Sequence, residues 1–209
     1  IGHPVYHISS VNNQNNKKYI AFLPGSRENE IKQLFVYYEL AYKILLKYQT
    51  TRFHIFIPTL PHLEKLINKK ISHWKIKTIV ITNQIIIEDY FREVYASVTC
   101  SGTASLEMAK RMIPQLVIYK FNFLTTIIAK YFVKIKYGNL LNIFANRMII
   151  PELMNFNLTK KKFTSEFGLL INNKKRNNEQ LFKIQEHIKY FENNQSPYDL
   201  CVKRIMELI

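Results

Sequence analysis

Ser101-Gly102-Thr103-Ala104-Ser105-Leu106-Glu107 follows directly on the apolar run Ala96-Ser97-Val98-Thr99-Cys100. Together they read as a buried strand, a tight turn and the first turn of a helix. Gly102 lets the backbone turn sharply and come close to a ligand. Ser101 and Thr103 are N-cap residue types, and the unpaired N–H groups of a helix start suit phosphate oxygens. Glu107 falls one turn further on, where a carboxylate can accept hydrogen bonds from sugar hydroxyls. An ordinary, well-capped strand-to-helix turn has the same residues, because one glycine is far less specific than a glycine-rich fingerprint.

A second stretch repeats the arrangement. Leu23-Pro24-Gly25-Ser26-Arg27-Glu28-Asn29-Glu30-Ile31 also follows an apolar run, residues 19–23, and opens a long helical pattern over residues 28–48. There Ile31, Leu34, Phe35, Tyr38, Ala41, Tyr42 and Leu45 recur at three and four and form one apolar face. Further strands are expected at residues 52–58, 77–82 and 116–119, with helices at 61–70, 88–95 and 103–112. Strands alternating with helices through short turns predict a doubly wound α/β sheet. Ligands of such sheets bind outside the carboxyl ends of the strands, where both turns fall. After Lys120 the pattern changes. Leu124, Ile127, Ile128, Tyr131, Phe132 and Ile135 give a broad apolar face edged by Lys120, Lys130, Lys134 and Lys136. That is a core helix with a solvated edge, or an interfacial helix touching anionic lipid. Residues 139–152 read as a loop leading into a helix start at Pro151-Glu152-Leu153. Residues 160–171, 178–191 and 197–208 read as closing helices.

The balance of 30 Lys and Arg against 15 Asp and Glu gives a net charge of +15, which favours polyanionic or phosphorylated partners. The charge is uneven. Between Glu107 and Glu152 stand Lys110, Arg111, Lys120, Lys130, Lys134, Lys136 and Arg147 without one carboxylate. A nucleic-acid-binding module would fit the charge, but the interleaved aromatics and recognition-helix pattern of such modules are missing. Two cysteines, Cys100 and Cys201, cannot make a disulfide framework and read as reduced residues of a cytoplasmic protein. No apolar run approaches a membrane span, and no stretch reads as a signal peptide. The six histidines show no metal-ligand spacing, and no Ser/His/Asp nucleophile signature is present. No cofactor and no metal are expected.

LPGSRxxEI, SGTASLE and the downstream Asn142-Ile143-Phe144-Ala145-Asn146-Arg147-Met148-Ile149-Ile150-Pro151-Glu152-Leu153 together resemble lipid-A-disaccharide synthase, a two-domain GT-B glycosyltransferase. The likeness runs over nearly the whole chain but only to that family's C-terminal half. It implies a Rossmann-like doubly wound parallel sheet with closing C-terminal helices. Residues 1–17, with Gly2-His3-Pro4, would be the remnant of an interdomain hinge, 18–195 the UDP-sugar-binding domain and 196–209 a C-terminal helix. It also implies transfer of a diacylglucosamine from UDP-2,3-diacylglucosamine to 2,3-diacylglucosamine 1-phosphate, at the inner face of the inner membrane of a Gram-negative bacterium.

By resemblance Ser101, Gly102 and Thr103 face the phosphates and Glu107 the ribose. Arg27 offers an arginine fork, with Ser26 beside it as a cap or phosphate contact. Asn142 and Arg147 match polar positions of a loop near the donor. The sequence departs from the family at Leu141, Asn146 and Tyr95, which replace a Pro, a Gly and an Asp; Asn tolerates a left-handed backbone better than most residues. The catalytic base belongs to the family's N-terminal half, so none is expected in this chain, and the fragment alone is expected to be inactive. The partners expected are the two sugar substrates, an anionic membrane surface, and the N-terminal half or a second copy. Another UDP-sugar enzyme of the same architecture is the alternative, because the SGT…E turn recurs among GT-B folds.

Overall fold

A computed structural model describes residues 17–47, 53–100, 102–120, 136–191, 202–203 and 205–207. Ser101, residues 1–16 of the expected hinge remnant, most of segment 196–209 with Cys201, and the apolar-basic stretch 121–135 lie outside the described residues.

Six parallel strands form the sheet: β1 (Tyr19–Leu23), β2 (His54–Pro58), β3 (Thr78–Ile81), β4 (Val94–Cys100), β5 (Gln115–Tyr119) and β6 (Glu152–Met154). Their order across the sheet is β3-β2-β1-β4-β5-β6. The chain therefore winds outward from β1 in one direction, returns, and winds outward from β4 in the other. This confirms the doubly wound α/β class. The continuous apolar runs follow from burial on both faces. Ile20 and Phe22 of β1 join Ile55 and Ile57 of β2 on one face, while Tyr19, Ala21 and Leu23 join Phe56 on the opposite face.

The first face is covered by α1 (Glu28–Lys47) and α6 (Lys160–Asn172). All seven residues of the expected α1 stripe are buried. The single tryptophan, Trp74, stacks on Tyr42 of α1 at 4.7 Å and donates its indole N–H to Glu39 at 2.7 Å. The opposite face is covered by α3 (Gln84–Phe91), α4 (Thr103–Lys110) and α7 (Lys174–Ile188), while α2 (Pro61–Ile71) links β2 to β3.

Three expectations need correction. The helix read at 88–95 is α3, four residues earlier, because the Asn83 side chain accepts the N–H groups of Ile85 at 3.0 Å and Ile86 at 3.4 Å and fixes the start. Residues 94 and 95 belong to β4, where Tyr95 packs on Phe53 at 5.0 Å between ring centres. In the region read as a loop and helix start, Leu140–Ala145 is a short helix (α5), and Glu152–Met154 is the edge strand β6. The closing helix α7 begins at Lys174 because the Asn173 side chain caps it through Arg176 N–H at 3.0 Å.

A buried polar network holds this half together. Gln115 accepts the Ser105 hydroxyl at 2.8 Å and donates to the Ser105 carbonyl at 2.9 Å, while Asn139 donates to Ser105 Oγ. Asn139 caps α5 through Leu141 N–H at 2.9 Å, a bond that a proline at 141 could not make. Its own N–H goes to the buried Glu152 carboxylate at 2.8 Å. Asn142, fully buried, accepts from Ile149 N–H at 2.7 Å and Ile150 N–H at 2.9 Å and donates to the Ile150 carbonyl at 2.8 Å. Asn146 closes α5 at φ 49°, in the left-handed region that asparagine tolerates.

Asn142→Ala would strand three buried backbone groups, and the expected loss is about 2–4 kcal/mol. Urea unfolding followed by Trp74 fluorescence measures it; a loss under about 1 kcal/mol would show that water replaces the amide freely.

Candidate active site

The strand order reverses between β1 and β4, and a cleft of about 610 Å³ opens there, at the carboxyl ends of the strands. Parallel pairing of Leu23 with Thr99 brings the two turns abreast. On one side the turn after β1 supplies Gly25, Ser26 and Arg27, with Glu30 behind them. On the other, the turn after β4 supplies Gly102, Thr103 and Glu107. Pro58 at the end of β2 and Thr59 after it, Gln84, Ile87, Glu88 and Phe91 of α3, and Tyr119 of β5 also line the walls.

Both glycines have φ values closed to other residues at low energy, +105° at Gly25 and +106° at Gly102. Their surroundings differ. A Cβ on Gly25 would lie 2.8 Å from Glu30 Oε2 and 3.0 Å from Cys100 Sγ, so the turn is filled from behind. A Cβ on Gly102 would meet nothing within 4 Å, so the backbone there faces open space. Helix α4 begins at Thr103, with Gly102 as its N-cap and no side-chain cap bond. Its first N–H groups are thus left for a ligand.

Arg27 precedes the first residue of α1, and its carbonyl takes the Ile31 N–H at 3.1 Å. Its guanidinium pairs with Glu30 at 3.0 Å, and its side chain is 79% exposed. The Ser26 hydroxyl makes no hydrogen bond among the described residues, and Arg27 rather than Ser26 occupies the capping position. Glu107 is half-buried; burial pushes its carboxyl above the usual range, Arg111 pulls it back, and Glu88 adds to the rise. At the cleft floor, burial and the nearby Glu30 push the Cys100 thiol up to about 12, so it is no nucleophile at neutral pH.

Six of the eight expected site residues belong to these two turns: Ser26, Arg27, Gly102, Thr103 and Glu107 line the cleft, and Ser101 lies outside the described residues. The other two stand elsewhere. Asn142 spends its amide on the 149–150 backbone, and Arg147 faces α7, 3.4 Å from His187 and 3.6 Å from Glu186. The sequence reading also passed over Arg111 as a site residue; it lines the cleft and grips Glu88 through two 2.6 Å bonds. The only local signal for it is its place one turn after Glu107.

Comparison with known proteins gives the chain's family and supports its fold. The family model for lipid-A-disaccharide synthetase matches residues 7–206. A lipid-A-disaccharide synthase of Legionella pneumophila (strain Philadelphia 1) is 31% identical over 196 residues, covering 92% of this chain and 50% of the relative. That of Granulibacter bethesdensis is 31% identical over 158 residues, covering 76% of this chain and 40% of the relative. The chain spans about half the length of the curated relatives it matches. Among solved structures, the C-terminal domain of a group 1 glycosyl transferase (LpcC) from Francisella tularensis superposes with a TM-score of 0.60 at 13% identity, over 93% of this chain and 100% of that domain. Acinetobacter baumannii MurG gives a TM-score of 0.57 at 13% identity, over 90% of this chain and 51% of that protein. At that identity the likeness speaks for the fold, a GT-B half. On the match over residues 7–206 and the 31% identity across nearly its whole length, the chain belongs to the lipid-A-disaccharide synthase family.

Proposed function

We propose that this chain is the UDP-sugar-binding half of a lipid-A-disaccharide synthase, with residues 18–195 as the binding domain. The observation that carries the proposal is the cleft itself, where two positive-φ glycine turns flank the switch point with a guanidinium on one side and a carboxylate on the other. In the transfer, an acceptor hydroxyl oxygen forms a bond to the anomeric carbon, and the bond from that carbon to the diphosphate oxygen breaks. UDP leaves with an added negative charge. Fixed N–H groups at the start of α4 and the Arg27 fork are the donors suited to that charge. Glu107 is suited to accept the ribose hydroxyls. The proton of the acceptor hydroxyl goes to a base on the N-terminal half, so the isolated chain binds without turning over. The substrates proposed are UDP-2,3-diacylglucosamine and 2,3-diacylglucosamine 1-phosphate.

Peripheral docking at the inner face of the inner membrane of a Gram-negative bacterium is part of the same reading. No described helix is long and apolar enough to cross a membrane. Of the basic residues in the acid-free stretch, Arg111 is buried and paired, and Arg147 lies beside Glu186. Lys120 and Lys136 are exposed, and Lys130 and Lys134 lie outside the described residues.

Calorimetry without metal should show UDP binding that Arg27→Ala weakens by about 1.5–3 kcal/mol. Equal affinity of wild type and variant removes Arg27 from the site. Glu107→Gln should weaken UDP while sparing pyrophosphate. It should also raise the melting temperature at neutral pH, because the carboxyl's raised pKa stabilises the fold only when protonated, a contribution lost as pH rises through it. In acid that stability difference closes; a variant less stable than wild type at neutral pH contradicts the sign. Anionic vesicles should sediment the chain at low salt, at ~1 kcal/mol per well-placed Lys. Equal sedimentation with neutral vesicles would reject electrostatic docking.

A further inference from the structure

The side of the cleft between α3 and α4 holds an ion pair that the proposed chemistry leaves unused. Arg111, just past the end of α4, is 5% exposed and reaches across to α3, where both its terminal nitrogens donate to the two Glu88 oxygens at 2.6 Å. Its guanidinium also lies 4.5 Å from the centre of the Phe91 ring, one turn further along α3. Its remaining nitrogen, Nε, is buried with no hydrogen-bond partner among the described residues. The side chain is therefore fixed in place by a two-point fork and a ring face, with both terminal nitrogens turned to Glu88. Glu88 is half-exposed and, with Arg111, lines the cleft. The two cleft walls on this side are α3, with Gln84 and Ile87, and α4, with Glu107; Arg111 joins them.

We propose that Arg111 is a positioning residue of the donor site: by clasping Glu88 it fixes the spacing of α3 from α4 and sets the local charge at Glu107, the carboxylate assigned to the sugar hydroxyls of the donor. The inference rests on the reading of the cleft as a UDP-sugar site. Glu107 sits one turn before Arg111, whose N–H bonds the Glu107 carbonyl at 3.0 Å, so a shift of Arg111 moves the Glu107 backbone with it. The charged and titratable groups around Glu107 are few. Arg111 and Lys110 share its end of the chain segment, Glu88 faces it from α3, and Arg27, Glu30, Cys100 and Tyr119 line the same cleft from the β1, β4 and β5 ends. Arg111 opposes the proton on Glu107 and Glu88 favours it, so the two halves of one ion pair act on that carboxyl with opposite sign.

That opposition gives a test which simple loosening of the fold would not imitate. The whole chain is labelled with ¹³C at glutamate carboxyls, and the Glu107 signal, assigned through Glu107→Gln, is titrated by NMR. The same proteins are titrated with UDP and with pyrophosphate by calorimetry across pH. Arg111→Met should raise the Glu107 midpoint and weaken UDP at neutral pH by roughly tenfold or more, with pyrophosphate changed less than about twofold. Glu88→Gln should lower the midpoint. Arg111→Lys, which keeps the charge and loses the fork, should restore the midpoint but only part of the UDP affinity. Midpoints that move the same way in Arg111→Met and Glu88→Gln, or equal losses for UDP and pyrophosphate, overturn the inference and leave Arg111 as packing. If wild type binds UDP and all three variants match it, the inference alone fails. If wild type binds pyrophosphate but no UDP, the reading of the cleft fails and takes the positioning role with it.

Discussion

The pairing of β1 with β4 is the constraint on which the site depends. Leu23 lies against Thr99, so the two chains leave the sheet side by side, each through a glycine with φ near +105°. They then diverge. Helix α1 packs on one face of the sheet, while α4 packs on the other, with Leu106, Met108 and Ala109 buried there. Two helix starts that point into a common space but belong to opposite faces cannot close on each other. A crevice must remain between them, and this is why the switch point of such a sheet binds ligands. A register slip of one residue would turn every β1 side chain to the wrong face, so burial on both faces protects the site geometry.

The second half of the sheet is secured differently. Thr99, Ser105, Gln115, Asn139, Asn142 and Glu152 are all buried, and a polar network in a core is costly unless its members are satisfied. Here the partners are largely backbone groups that a short helix and a three-residue edge strand would otherwise leave open. The Glu152 carboxylate takes the N–H groups of Gly138 and Asn139 at 3.1 and 2.8 Å, and burial still pushes its pKa up. Ser105 stands two residues after the start of α4, so the network also anchors the helix whose N-terminus faces the cleft. Asn142 belongs to the same buried set and holds the backbone at residues 149–150.

The parts of this molecule legible in its sequence are those with a local period. Strands buried on both faces give unbroken apolar runs, and the α1 stripe recurs at three and four, so β1, β2, β4, β5 and α1 stand where the pattern puts them. The two glycine turns were legible for the same reason, as breaks between an apolar run and a helical period. What the sequence hid is non-local. Strand β6 is three residues long and opens with a glutamate that reads as a helix-start acid until its carboxylate is seen capping residues fourteen and thirteen positions earlier. Helix α3 starts at the Asn83 cap, and the isoleucine run 85–87 that follows it has no helical period to mark the first turn. The Arg111–Glu88 clasp joins residues 23 apart, and no spacing rule reaches that far. The family resemblance gave Glu107, Arg27 and Asn142 alike as site positions, and a resemblance transfers positions without the partners that a side chain holds, such as the 149–150 backbone on the Asn142 amide.

Two arginines border one cleft, and their settings suit opposite tasks. Arg27 is exposed, bound to Glu30 by a single 3.0 Å contact one turn along the same helix. Exposed pairs of this kind are worth about 0.2–1 kcal/mol, so exchanging Glu30 for a diphosphate sacrifices little. Glu30 can then remain where it is, behind Gly25. Arg111 is buried, forked onto Glu88 and seated on Phe91, and releasing it would leave a desolvated charge without its partner. Parting a forked, buried guanidinium from its carboxylate costs more than giving up the single exposed contact of Arg27. On the proposed reading, a ligand entering the cleft recruits Arg27 and leaves Arg111 in place. The distribution of burial, rather than of charge, separates the two: the exposed guanidinium is the one suited to meet a leaving group, and the buried one is suited to hold the wall.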